Sequence, residues 1–141
     1  MSGSVSRTRE VRVSELRPNL RHITVTVKVL SVGGERRVIS RFDGLEHRVA
    51  EALVGDETGT VLLSLWDGDI EEVKQHEGET ITLRNCYVTE YRGSMRLSLG
   101  RYGKVEEPIR EIEEVNERNN MSNKPVRGYG GGRRRARRPR P

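Results

Sequence analysis

The sequence predicts an all-β domain: a small, partly open five-stranded barrel, one short helix between strands three and four, and a disordered basic C-terminal tail. Three observations predict it. Apolar and polar residues alternate at the two-residue period of half-buried strands in residues 23–30, 60–66 and 95–99. Turn formers punctuate the runs at Gly33-Gly34, residues 55–59, Gly78 and Arg92-Gly93. Only residues 67–73 suit helical turns inside that pattern.

Taken in order, residues 1–12 read as a flexible arm, and residues 13–20 as a short capped turn in which Pro18 stops any helix. In the first strand Ile23, Val25, Val27 and Val29 face one way, and Thr24, Thr26 and Lys28 the other. Arg36, Arg37 and Arg41 follow in a segment that either extends this strand or loops away. Residues 47–54 form the second strand. Gly55-Asp-Glu-Thr-Gly59 is a hairpin signal, with Gly59 able to take the left-handed position. The third strand sends Val61, Leu63 and Leu65 to the core and Leu62, Ser64 and Trp66 outward.

Asp67 or Asp69 then caps the short helix. In the fourth strand Ile81 and Leu83 are odd-numbered, whereas the small apolar Cys86 and Val88 are even. A bulge near Arg84-Asn85 reconciles the two halves and turns Tyr87, Thr89 and Tyr91 outward beside Trp66. Met95, Leu97 and Leu99 form the core side of the last strand, with Arg96 and Ser98 outside. The domain is thus expected over residues 13–107. Residues 108–123 are a linker or a short helix carrying Ile109, Ile112 and Val115.

The chain has 141 residues and a hydrophobic share of 33%, below the roughly 45–50% of globular chains, so part of it adds nothing to a core. Charge locates that part. Residues 1–123 hold 18 basic and 21 acidic side chains; residues 124–141 hold 8 basic and no acidic ones. Such a tail, with Arg133, Arg134, Arg135, Arg137 and Arg138, cannot offset its own chain entropy and fits a polyanionic partner.

Chemistry is concentrated in the aromatics. The chain has six, and Trp66, Tyr87 and Tyr91 all take the outward parity of adjacent strands. Outward placement forgoes burial unless a flat partner stacks there, and unpaired nucleobases are such a partner. Lys28, Arg36, Arg37, Arg41, Arg92 and Arg96 are then candidates to track phosphates. The competing reading has Trp66 close the mouth of the barrel while the tyrosines cap the sheet.

Asn19-Leu20, Thr-Val-Lys-Val-Leu at 26–30, Val-Gly-Asp-Glu-Thr-Gly at 54–59, Leu-Ser-Leu-Trp at 63–66 and Tyr-Arg-Gly at 91–93 resemble, in order and spacing, the archaeal single-stranded DNA-binding proteins. These have one OB-fold and a flexible tail, and are similar to the OB-fold component of the eukaryotic sensor of single-stranded DNA. The resemblance spans residues 14–104. It implies base stacking on Trp66, Tyr87 and Tyr91, and contacts from Arg36, Val38 and Arg92. Ser98 stands where eukaryotic relatives carry another aromatic, and the tail ends in arginine rather than an acidic tip.

The expected function is binding of single-stranded DNA with little sequence preference, protecting it in replication, recombination or repair. Single-stranded RNA is the first alternative partner. The second alternative is an interaction module of a larger assembly, docking through Ile109, Ile112 and Val115. Replication or repair proteins are further expected partners of a monomer in the cytoplasm, associated with the nucleoid. No apolar run is long enough for a membrane span. The sequence points away from an enzyme and implies no cofactor or metal. Asp67-Gly68-Asp69 reads as caps, His22, His47 and His76 lack ligand spacing, and Cys86 reads as a small buried hydrophobe.

Overall fold

The computed structural model describes residues 9–99 and 102–123; the expected tail, with its five arginines at 133–138, lies outside the described residues. Eight strands pair into one sheet. They are β1 (Arg9–Glu10), β2 (Ile23–Val32), β3 (Arg36–Ile39), β4 (Glu46–Asp56), β5 (Gly59–Trp66), β6 (Thr80–Tyr91), β7 (Ser94–Ser98) and β8 (Lys104–Glu106). The helix α1 (Gly68–Lys74) lies between β5 and β6. No helix among the described residues is long and apolar enough to cross a membrane.

The five longer strands correspond to the five expected, and their pairing returns on itself. β2 pairs with β4, β4 with β5, β5 with β7, β7 with β6, and β6 again with β2. The core lies inside this ring. Val25, Val27, Val29, Val61, Leu63, Leu65, Leu83 and Leu97 are fully buried there, each side chain contributing about 1.5–3 kcal/mol. Ile70 and Val73, one helical turn apart, bury the inner face of α1. No aromatic residue is buried among the described residues.

The bulge is where the parity shift put it. Ile23 pairs with Cys86 but Val25 with Leu83, so β6 carries an extra residue against β2. Asn85 absorbs it at φ 61°. Cys86 is buried, its thiol donates to the Ile23 carbonyl at 3.4 Å, and burial pushes its pKa up to about 12.

Several expectations are corrected. The count of five strands omits β1, β3 and β8, which are short and are held by backbone pairing rather than by apolar alternation. β3 is a separate strand antiparallel to β4, neither a continuation of β2 nor a free loop. The arm is anchored before residue 13: Arg9–Glu10 pairs with β2, and Val11 is buried with its N–H on the Thr24 carbonyl at 2.9 Å.

Residues 108–123 are neither a helix nor a plain linker. They run as a strap across the ring, ending in a 3-10 turn at Met121–Asn123. Ile112 and Met121 are buried while Ile109 is exposed, so the apolar stripe expected for docking does not exist. The strap also explains two glycines. A Cβ on Gly55 would lie 2.7 Å from Val115, and one on Gly59 2.6 Å from the Asn119 carbonyl oxygen. Gly59 is thus needed for close approach and not for a left-handed turn, since its φ is not positive. The true left-handed turn is Arg92-Gly93, at φ 52° and 81°, which joins β6 to β7.

Candidate nucleic-acid interface

The outer faces of β3 to β7 build an open groove of about 640 Å³. Register places its parts. Glu51 of β4 pairs with Ser64 of β5, Ser64 with Ser98 of β7, and Ser98 with Tyr87 of β6, giving one row across four strands. The two serines keep the middle of the floor low. Trp66 stands two residues beyond Ser64, so its ring and that of Tyr87 are anchored about 12 Å apart. That spacing suits successive flat groups, not one group held between both rings.

The structure brings together Arg36, Val38, Trp66, Tyr87, Thr89 and Tyr91, all of which line this groove. Trp66, Tyr87 and Tyr91 are 41%, 37% and 45% exposed. Trp66 therefore does not close the ring. Three other expected contacts are arranged differently. Arg37 lies on the opposite face of β3 from Arg36 and Val38, 3.8 Å from Glu46. Lys28 lines a separate concavity with Glu79, Glu106 and Glu111. Arg96 is only 11% exposed, with Nε on Glu51 at 2.6 Å and a second nitrogen on the Ser94 hydroxyl at 2.7 Å.

Arg96 and Arg92 instead support Tyr91. Their guanidinium carbons lie 5.3 and 5.1 Å from its ring centroid. Arg96 is fixed by its ion pair; Arg92 is exposed and can yield its place to a ligand.

His47, which spacing alone did not single out, fixes the other end of the groove. Its ring meets Trp66 edge-on, centroids 5.6 Å apart at 70°. Nδ1 lies 2.7 Å from Asp67 and Nε2 2.9 Å from Asp43. Carboxylates only accept, so both contacts are hydrogen bonds when both nitrogens carry protons, and the arrangement favours the imidazolium. Hydrogen bonds to Asp67 and then Asp43 raise the His47 pKa above its ordinary value. Asp67 also accepts the Arg48 N–H at 3.0 Å, so its side chain does not cap α1 as expected. Among the described residues, no group of three or more His, Cys, Asp or Glu is placed to hold a metal ion.

Charge in the groove is mixed. Arg36 is its basic lining residue, while Glu51, Asp69 and Glu90 line it as well. Burial, followed by repulsion from Glu72 and Asp67, raises the pKa of Asp69. The arrangement thus favours contact with flat, weakly polar faces over dense phosphate binding. Val49, Ser64, His47 and Asp69 were not foreseen. For Ser64 the outward parity was visible; for the others only strand pairing reveals the position.

A ring of five strands with an aromatic groove across its outer face defines the OB-fold class. Residues 16–107 match the family described as single-stranded DNA binding protein Ssb-like, OB fold. The chain belongs to that family. It is 34% identical to the single-stranded DNA binding protein Ssb of Saccharolobus solfataricus over 127 residues, covering 87% of this chain and 83% of the relative. Among solved structures it is similar to a hypothetical protein from Arabidopsis thaliana, with a TM-score of 0.68, 29% identity, and coverage of 89% and 92% of the two chains. The second OB-fold domain of replication protein A from Methanococcus maripaludis shares the fold at a TM-score of 0.57 and 24% identity, covering 74% of this chain and all of that domain (100%).

Proposed function

We propose that this protein binds single-stranded DNA with little sequence preference, as a binding protein and not an enzyme, its strands forming the barrel of the OB-fold with α1 between β5 and β6. Bases stack on Trp66 and Tyr87, and on Tyr91 once Arg92 swings aside to a phosphate. Arg36 contacts the backbone at the groove edge, and Val38 and Thr89 pack against sugars and bases. The observation that carries this reading is the placement of three aromatic rings on one open groove in a domain whose core holds none. Every base has a π-face, so such a platform is tolerant of sequence.

The eight cations of residues 124–141 extend the reach to flanking phosphates without reading bases. The protein works as a monomer on strands exposed in replication, recombination or repair.

Trp66 is both the platform and the only tryptophan, so it reports directly. Saturating oligo-dT quenches its emission. Trp66→Ala weakens oligo-dT binding about 5- to 150-fold, from about 1–3 kcal/mol of lost stacking, and leaves the thermal melt unchanged. Absence of quenching, or unchanged affinity in Trp66→Ala, overturns the reading. Competition with matched oligo-U measures the preference for DNA over RNA.

A further inference from the structure

A second concavity, of about 450 Å³, lies beside the groove between the loop at residues 18–22 and the end of β6. Its volume falls in the usual range for small-ligand sites. Tyr87, Thr89 and Glu90 line both the groove and this cavity, so a strand crossing Tyr87 has its next base at the cavity mouth.

The lining is divided as a nucleobase is. Val88, Met95 and Leu99 give an apolar lining, and Tyr87 and Tyr102 line the cavity too, a composition that suits the faces of a base. Arg21 and Asn85 carry donors at the rim, and Glu90 an acceptor, matching its edges. Asn85 accepts from His22 Nδ1 at 3.1 Å, which leaves its amide nitrogen to donate.

The backbone here is held in costly conformations. Five non-glycine residues have positive φ among the described residues, and three of them, Asn19, His22 and Asn85, line this cavity. Such conformations persist where the surrounding structure enforces them, and they concentrate at ligand sites.

We propose that this cavity seats one nucleobase of the bound strand, next in line after the base on Tyr87. The proposal rests on the groove binding a single strand as described above. On the open platform a base shows its edges to solvent; in the cavity they meet Arg21, Asn85 and Glu90. The cavity is therefore where the edges of one base, and not only its faces, meet the protein.

The test uses the full chain and oligo-dT of about twelve nucleotides carrying 4-thiothymidine. Photocrosslinking followed by peptide mapping is expected to find adducts on Tyr102 or Met95 as well as in the groove. Tyr102→Ala and, separately, Arg21→Ala are expected to weaken binding about fivefold or more, with the quenching of Trp66 at saturation unchanged. Tyr102 is 70% exposed, so its truncation removes little packing. If both variants keep full affinity while the unaltered protein still quenches, the cavity is not part of the path and the groove reading stands. Loss of quenching amplitude in the variants overturns the proposal, because these residues then act through the platform. If the unaltered protein neither binds nor quenches, the groove reading fails, and this proposal with it.

Discussion

The two halves of β6 present the same outer face to opposite fates. In the first half Thr80 and Thr82 point outward yet are buried, because β8 pairs alongside and the strap at residues 108–123 lies over them. Thr82 Oγ1 accepts the Ile109 N–H at 3.0 Å and bonds Thr26 Oγ1 at 2.8 Å. Beyond the bulge at Asn85 the same face carries Tyr87, Thr89 and Tyr91, which line the open groove, with only the Arg92 and Arg96 side chains over Tyr91. A surface covered by the protein's own backbone uses short hydroxyls that satisfy passing N–H groups. A surface kept for a flat ligand uses rings.

That contrast can be broken from the covered side. Gly59→Val is expected to have the largest effect, about 3 kcal/mol of stability, because even a Cβ there meets the backbone of Asn119. Hydrogen exchange should rise in residues 108–123 while oligo-dT still quenches Trp66. Quenching lost together with the strap would join the two halves into one unit. Thr82→Val should cost about 1–2 kcal/mol, by leaving the Ile109 N–H and the Thr26 hydroxyl without partners in a buried layer. A thermal melt measures this, and oligo-dT affinity should not move.

Smaller effects sharpen the open side. Asp69→Asn removes a carboxylate lining the groove. One charge at about 8 Å in water is worth about 0.5 kcal/mol, so affinity should rise about twofold in a salt-dependent manner.

Smallest is the effect of pH through His47. Its pKa is raised above 6.5, first by Asp67 and then by Asp43, and those of Asp67 and Asp43 are lowered below 3.8. The stabilisation tied to the imidazolium is complete below pH 6.5 and is lost as pH rises through the raised value. That tied to the two carboxylates is present above pH 3.8 and is lost as pH falls through their lowered values. Trp66 emission should shift across the upper titration, and His47→Gln should abolish the shift.

Much of this contrast is legible in the sequence, for definite reasons. Parity in residues 60–66 separates Leu63 from Trp66, and the odd-to-even switch after Leu83 locates the bulge that turns the tyrosines outward. Local periodicity is sufficient for both. The strap is not legible because its anchors are backbone N–H groups meeting Thr80 and Thr82, and Val115 and Asn119 packed on the flat faces of Gly55 and Gly59, which leave no periodic signature. Arg96 resembles the other basic residues of the outer face until Glu51 is placed across two strands from it. His47 is joined to Asp67 through the pairing of β4 with β5, a relation spanning 20 residues with no local cue.

The absence of aromatic rings from the interior of the described residues has a consequence for the bench. Every aromatic among the described residues, including Phe42 at 92% exposure, stands at the surface. Tryptophan emission and near-ultraviolet dichroism therefore carry little signal from the packing of the core. A denaturation curve followed by fluorescence would track the loosening of the groove and could miss the collapse of the ring beneath it. Backbone dichroism or calorimetry should follow folding, and emission should follow the ligand. The two signals come from different layers of one small domain, so a single sample can report stability and occupancy at once.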